Sequence, residues 1–274
     1  MTGSASRDTG RRETAGPSSV ITSTRNGRII ELARLHRRRD REAAGRYLVE
    51  GPRAVAEVLA AGLVETVLAV PEHADEYAGR GVEVVAVAPH VLAKLADSRT
   101  PQGVVAVARR EVAPLASIVG RGILVVLAAP SDPGNLGTVI RTADAAGAAG
   151  VVVAGAGVDP WNPKVVRSTT GSLVHLPIAL VDDLAEVVAA CRAANQQVVA
   201  LDMHGDREVF DLERDTGPVA IVVGSEAHGL PPETRDLVDA VLAVPTYGRA
   251  ESLNLAAATA VALYAAARGR RSPD

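Results

Sequence analysis

Three stretches of this 274-residue chain set polar side chains beside the glycine and proline turns that can aim them. The first is Pro130-Ser131-Asp132-Pro133-Gly134-Asn135-Leu136-Gly137, followed by a helical pattern that carries Arg141. A helix start offers unpaired N–H groups to an anion or a polar ligand. Asn135 and Arg141, about 9 Å apart along a helix axis, can touch different parts of one ligand. The same residues also suit plainer roles, Asn135 as an N-cap and Arg141 as a surface cation. In the second stretch, Val223-Gly224-Ser225-Glu226-Ala227-His228-Gly229-Leu230, two glycines bracket an acid and a histidine directly after a buried strand. Glu226 reads as a capping acid or a functional carboxylate, and His228 as a loop or capping histidine. The third, Val244-Pro245-Thr246-Tyr247-Gly248-Arg249-Ala250-Glu251-Ser252-Leu253-Asn254, runs into an alanine-rich helix with Ser252 as a natural N-cap.

Other chemistries are poorly served. Ala154-Gly155-Ala156-Gly157 follows a strand, but the third glycine of a dinucleotide fingerprint is replaced by Pro160. No phosphate-binding Gly-x-x-x-x-Gly-Lys-Ser/Thr loop occurs. The single cysteine, Cys191, sits in an apparent alanine-rich helix, so no positioned thiol nucleophile is expected. No Cys/His group has structural-zinc spacing, and no metal is expected.

The elements that must position these loops alternate strand and helix. Met1 to Val20 reads as a mobile tail, and Arg25 to Arg41 as an amphipathic helix with a basic face. A small α/β unit follows: strands over Tyr47–Glu50, Thr66–Val70, Val82–Val87 and Val104–Ala108, helices over Pro52–Ala61 and Val91–Asp97. After a linker over Glu111–Gly122, a second unit opens with the buried strand Ile123–Leu127 and a helix over Asn135–Gly147. It continues with strands at Val151–Ala154, Leu176–Leu180, Val198–Leu201, Val219–Val223 and Val241–Val244. Helices are expected over Asp183–Ala194, Pro232–Asp236 and Ser252–Arg268. Strands made almost wholly of Val, Ile, Leu and Ala are buried on both faces, as in a parallel sheet covered by helices. The expected division is a tail (1–20), a small α/β domain (21–114) and a parallel-sheet domain (115–270). Ligands of such sheets bind beyond the C-terminal strand ends, where all three loops lie.

Composition narrows the class. Hydrophobic residues make up 47% and charged residues 22%, which excludes overall disorder. No apolar run reaches the ~20 residues of a membrane span, and residues 1–19 lack a signal peptide's apolar stretch; a soluble, cytoplasmic protein is expected. The net charge of −3 hides a polarity. Twelve arginines face six acids through Arg53, while the remainder holds 17 basic and 26 acidic residues. A basic end on an acidic body suits a polyanion-binding surface, with Arg25, Arg37, Arg38, Arg39 and Arg41 as candidate contacts; a solvated arginine-rich helix is the plain alternative. Aromatics, at 2%, are too few for a base-stacking platform.

Taken together, Asn135-Leu136-Gly137 with Arg141, Gly224-Ser225-Glu226-x-x-Gly229-Leu230, and Pro245 with Ser252-Leu253-Asn254 resemble the SpoU (TrmH-type) RNA ribose methyltransferases of the SPOUT superfamily. The block Ser23-x-x-Asn26 with Arg46-Tyr47-Leu48-Val49-Glu50-Gly51 is similar to the ribosomal-protein-like RNA-binding domain of many members. The resemblance implies an α/β fold whose C-terminal parallel-sheet domain holds a deep trefoil knot, against the usual rule. It implies a homodimer, S-adenosylmethionine as methyl donor, and a ribose 2′-hydroxyl of RNA as acceptor, 23S rRNA ahead of tRNA. A catalytically inactive rRNA-binding or assembly protein is the alternative. By motif position, Asn135, Arg141, Glu226, Ser252 and Asn254 would be catalytic. Leu201, Asp202, Gly224, Ser225, Val244, Ser252 and Leu253 would bind the donor. Family members assign the arginine a base role, but a guanidinium keeps its proton, so Arg141 is expected to act as an electrostatic and phosphate clamp. Thr246-Tyr247-Gly248-Arg249 departs from the methionine and small residue of many members, altering one wall of the donor pocket. The apolar Leu253–Ala267 segment is expected to face a subunit interface or a core.

Overall fold

Arginines crowd the start of the chain, and the helix they were expected to form breaks in two. The computed structural model describes residues 20–225, 229–230 and 234–270. Helix α1 (Gly27–Ala33) passes through a 3-10 turn at Arg34–His36, and α2 (Arg38–Ala44) restarts after Arg37, which is extended at φ −96° and ψ 134°. The carbonyls of Leu35 and His36 at the break each accept a 2.9 Å bond from Nη1 of Arg41. The break therefore leaves neither of these carbonyls unpaired.

The first sheet is built from β1 (Arg46–Glu50), β2 (Val64–Ala69), β3 (Glu83–Ala86) and β4 (Val104–Arg109), in the order β1-β4-β2-β3. Strand β4 is antiparallel to both neighbours, whereas β2 and β3 are parallel. Helices α3 (Pro52–Ala60), α4 (Pro71–Ala74) and α5 (Pro89–Leu95) each begin at a proline, whose fixed φ and missing N–H suit a first helical turn. Ile21 bridges to Val87 at the end of β3; the expected tail, apart from Val20, lies outside the described residues.

The second sheet holds β5 (Ile123–Ala128), β6 (Gly150–Ala154), β7 (Ile178–Val181), β8 (Gln197–Leu201), β9 (Arg207–Glu208), β10 (Val219–Val223) and β11 (Ala240–Ala243). Their order is β7-β6-β5-β10-β8-β11-β9, and every neighbouring pair is parallel. Val219, Ala220, Ile221 and Val222 have no exposed surface, as a central strand covered on both faces requires. The connecting helices are α6 (Pro133–Ala145), α7 (Pro163–Thr169), α8 (Leu184–Ala193), α9 (Thr234–Leu237) and α10 (Leu255–Arg270). Helix α7, strand β9 and the 3-10 turn at Val209–Arg214 are elements that the periodicity did not announce. Helix α10 packs on that 3-10 turn, on α6 and on β10 of its own chain. Its apolar character is thus largely spent inside the molecule, leaving Ala257 and Tyr264 exposed.

The two sheets share a hydrophobic cluster: Tyr47 and Val49 of β1 join Trp161, Val165 and Leu173 of the second unit. No helix among the described residues is long and apolar enough to cross a membrane.

Candidate active site

The loops that end β5, β8, β10 and β11 converge beyond the C-terminal edge of the second sheet. At the first of them, Ala129 adopts φ 48°, a left-handed conformation that is uncommon for a residue with a Cβ. The chain then turns into α6, where Asp132 is the N-cap and accepts from the Asn135 N–H at 2.8 Å. This corrects the expectation that Asn135 might itself cap the helix. Its side chain is left to reach across the cleft, where its Oδ1 accepts from Nδ2 of Asn254 at 3.2 Å. Asn254, rather than Ser252, caps α10: its Oδ1 accepts from the Ala256 N–H at 2.9 Å. Two caps far apart in the sequence, Asp132 and Asn254, thus place two amides in contact.

Around this contact lies a cavity of about 690 Å³, lined by Asn135, Leu201, Asp202, Gly224, Ser225, Val244, Ser252, Leu253 and Asn254 among others. That volume lies in the range of small-molecule sites, ~300–1,000 Å³. Every residue expected to bind a donor is in this lining. Met203, His204, Leu230, Thr246 and Glu251 line it as well. Met203 and His204 directly follow the strand-end pair Leu201-Asp202, so extending the strand-end rule by two residues would have found them. Asp202 is fixed twice, accepting from the His204 N–H at 2.8 Å and pairing with Arg235 at 3.2 Å. Among the described residues no lysine or arginine lines the cavity, whereas Asp202 and Glu251 do. Of these two carboxylates, Asp202 is already paired with Arg235, and Glu251 is exposed.

Gly224 is needed for a different reason than free ligand space. A Cβ there would stand 2.2 Å from the Gly229 carbonyl carbon and 2.6 Å from the Leu230 nitrogen. The loop closes on itself at this point, with Ser225 and Gly229 exchanging backbone bonds of 3.0 and 2.8 Å. Glu226 and His228, between them, lie outside the described residues.

Arg141 is not in the cavity lining. It is exposed on α6 two turns beyond Asn135, and its side chain makes no hydrogen bond or ion pair with any described residue. Gly137 lets α6 approach α7, since a Cβ would lie 2.5 Å from Ser168 Cβ. Helix α7, which sequence reading missed, carries two exposed cations, Lys164 and Arg167, the latter paired with Asp97.

The arginine-rich segment divides. Arg25, Arg37 and Arg39 are exposed and make no side-chain ion pair with described residues. Arg38 pairs with Glu42 at 2.8 Å and also donates to the Gly157 carbonyl at 2.8 Å. Arg41 departs from the expectation of an RNA contact: it is only 1% exposed. Its Nε and Nη2 donate to Oδ2 of Asp159 at 2.8 and 2.6 Å. Burial pushes the Cys191 thiol up to about 11, consistent with a structural role. No group of three or more metal-ligating side chains occurs among the described residues.

Comparison with known proteins finds matches over both units of the chain. Residues 122–264 match the SpoU rRNA Methylase family, and residues 26–106 the MRM3-like substrate binding domain. The chain is 37% identical to the 23S rRNA (uridine(2479)-2′-O)-methyltransferase of Streptomyces viridochromogenes, covering 93% of this chain and 94% of that one. It is 31% identical to the 23S rRNA (guanosine(2553)-2′-O)-methyltransferase RlmP of Bacillus subtilis, covering 89% and 97%. Among solved structures, the AdoMet-bound rRNA methyltransferase from Sinorhizobium meliloti superposes with a TM-score of 0.84 at 33% identity, covering 92% of this chain and 98% of that one. AviRb of S. viridochromogenes, in complex with AdoMet, gives 0.82 at 38% identity, covering 90% and 98%.

Proposed function

The chain belongs to the SpoU rRNA methylase family, and from that premise we infer that it transfers a methyl group from S-adenosylmethionine to a ribose 2′-hydroxyl of 23S rRNA. The observation that carries the residue-level reading is the meeting of Asn135 with Asn254 at the mouth of one cavity. The two residues are 119 positions apart and the strand-end loops close around them. The cavity fits the cofactor in size, and the Glu251 carboxylate in its lining suits a sulfonium cation. When bound, S-adenosylmethionine supplies a methyl group already activated for transfer.

What remains for the protein is alignment and charge. A ribose hydroxyl is a weak nucleophile, and displacement at a methyl carbon needs near-linear geometry, so positioning supplies much of the rate. Asn135, held by Asn254, orients the hydroxyl at the cavity edge. Ser252, Leu253, Gly224, Ser225, Val244, Leu201 and Asp202 shape the donor pocket, and Glu226 belongs to the same motif set. Arg141 keeps its proton, grips a phosphate beside the target ribose and stabilises the alkoxide as it forms, while the hydroxyl proton leaves to water or to a neighbouring phosphate. Its exposure, with no side-chain partner among the described residues, supports that role.

The test separates donor binding from transfer. Arg141→Ala should keep S-adenosylmethionine affinity within a few-fold by calorimetry, yet lose tritiated-methyl transfer to 23S rRNA fragments by ~100-fold or more. Arg141→Lys should recover little, since an ammonium lacks the planar fork. Near-wild-type transfer by Arg141→Ala would refute the assignment.

Three further features belong to the same reading. The chain divides near residue 115 into an RNA-binding and a catalytic domain. Insertion of β10 between β5 and β8, with α10 returning onto α6 and β10, supports a trefoil knot. Tyr264 at 55% and Leu253 at 42% exposure support a homodimer beside the site, which light scattering reads directly. A chain acting on ribosomal RNA in this way works in the cytoplasm.

A further inference from the structure

One buried ion pair joins the arginine-rich segment to the second unit. Arg41 is the last basic residue of α2, and Asp159 lies in the loop after β6; their side chains are 2% and 3% exposed. Every polar atom of the pair is engaged. Arg41 donates to Asp159 and to the carbonyls of Leu35 and His36, while the second oxygen of Asp159 accepts from the Trp161 N–H at 3.1 Å. A buried pair of this kind gives little stability beyond what a well-packed apolar pair would give, because desolvation offsets the attraction. It does fix one distance and one orientation.

What that orientation controls is the catalytic loop. The Val158 N–H donates to the Pro130 carbonyl at 2.8 Å, and a Cβ on Gly157 would stand 2.8 Å from the same oxygen. Arg38 holds the Gly157 carbonyl from the other side. Pro130 opens the turn whose Asp132 caps α6 and so sets Asn135. A continuous path of bonded or touching groups therefore runs from α2 through Asp159, Val158 and Pro130 to Asn135.

We propose that Arg41 and Asp159 are positioning residues for methyl transfer: they lock the loop after β6 against Pro130, so that seating of α2 on the RNA fixes Asn135 at the acceptor hydroxyl. This rests on the methyltransferase reading above. Arg37 and Arg39, exposed on either side of Arg38 at the start of α2, give the RNA its hold on the same helix.

The experiment uses the full chain and compares wild type with the apolar double variant Arg41→Met/Asp159→Leu and with Gly157→Ala, which pushes Pro130 without touching the pair. Three quantities are read: Tm, kcat and KM for methyl transfer to 23S rRNA fragments, and hydrogen exchange across residues 130–138. The double variant should melt near wild type and keep KM for RNA within about threefold. Its kcat should fall at least tenfold, with exchange at the α6 start at least tenfold faster. A double variant that regains both Tm and kcat makes the pair merely structural and overturns the proposal. If the double variant fails to fold, Gly157→Ala decides: a tenfold loss of kcat at unchanged KM supports the path, and kcat within twofold of wild type overturns it. Absence of transfer by the wild type would instead sink the methyltransferase reading. The exchange comparison then stands alone, and unchanged exchange at residues 130–138 in both variants overturns the path.

Discussion

Asn135 shows how a residue can be found for the right chemistry and the wrong local reason. The stretch Asp132-Pro133-Gly134-Asn135 offers two side chains able to cap a helix, and sequence pattern alone does not choose between them. Asp132 takes the cap because Pro133 then falls at the first helical position, where its missing N–H costs nothing. Ser252 and Asn254 pose the same ambiguity, settled for Asn254 by its bond to the Ala256 N–H. Residue types at the site were legible in the sequence; the partner each would take depended on loops that meet only in three dimensions. Gly224 yields a prediction of the same grain. Even a methyl group there collides with the Gly229 and Leu230 backbone, so the loop must open rather than the ligand yield. Gly224→Ala is expected to weaken S-adenosylmethionine binding at least tenfold by calorimetry, with the melting temperature lowered in parallel. Unaltered affinity would mean that the loop reshapes without cost to the pocket.

The strands of the second unit were readable as unbroken apolar runs because they are covered on both faces. Helix α7 was not, because its seven residues carry a short pattern and its place is set by contact with α6 through Gly137 and Ser168. Contacts of that kind also decide how the two units are joined. His175, which follows α7 after a 3-10 turn, donates a 2.8 Å bond from Nδ1 to Asp144 of α6 and stands 3.4 Å from Glu57 of α3. The hydrogen bond to Asp144, and then the charges of Asp144 and Glu57, raise the pKa of His175 against the opposing effect of burial. The protonated ring is thus favoured in the folded chain. The clasp's contribution is fully present below the ordinary value of about 6.5 and is lost as pH rises through the higher folded-state value. With side chains about 40% exposed, it is worth no more than a surface pair, ~1 kcal/mol or less. The melting temperature of His175→Gln should therefore fall below wild type at pH 6 and converge on it toward pH 9. A constant difference across that range would assign the effect to packing.

Charge along the chain runs from a basic beginning to an acidic remainder. What the sequence could not rank was which arginines face solvent. Arg41 is spent inside, on a carboxylate 118 residues away, while Arg37 and Arg39 remain exposed. Cutting the chain between its units is a poor way to weigh them, because Tyr47 and Val49 share a core with Trp161 and Val165, and either half would expose it. Point variants measured against salt avoid that difficulty. Each phosphate contact releases condensed counterions, so the slope of log affinity against log salt concentration reports how many cations engage RNA. Arg37→Ala and Arg39→Ala should each lower the magnitude of that slope by about 1, weaken binding of 23S rRNA fragments at low salt, and leave S-adenosylmethionine affinity unchanged. The apolar replacement of Arg41 and Asp159 should leave the slope as it is, since a buried cation displaces no counterion. If removing Arg37 and Arg39 together left the slope intact, the arginine-rich start would be a solvated surface. The RNA would then have to be held by other exposed cations, such as Arg141, instead.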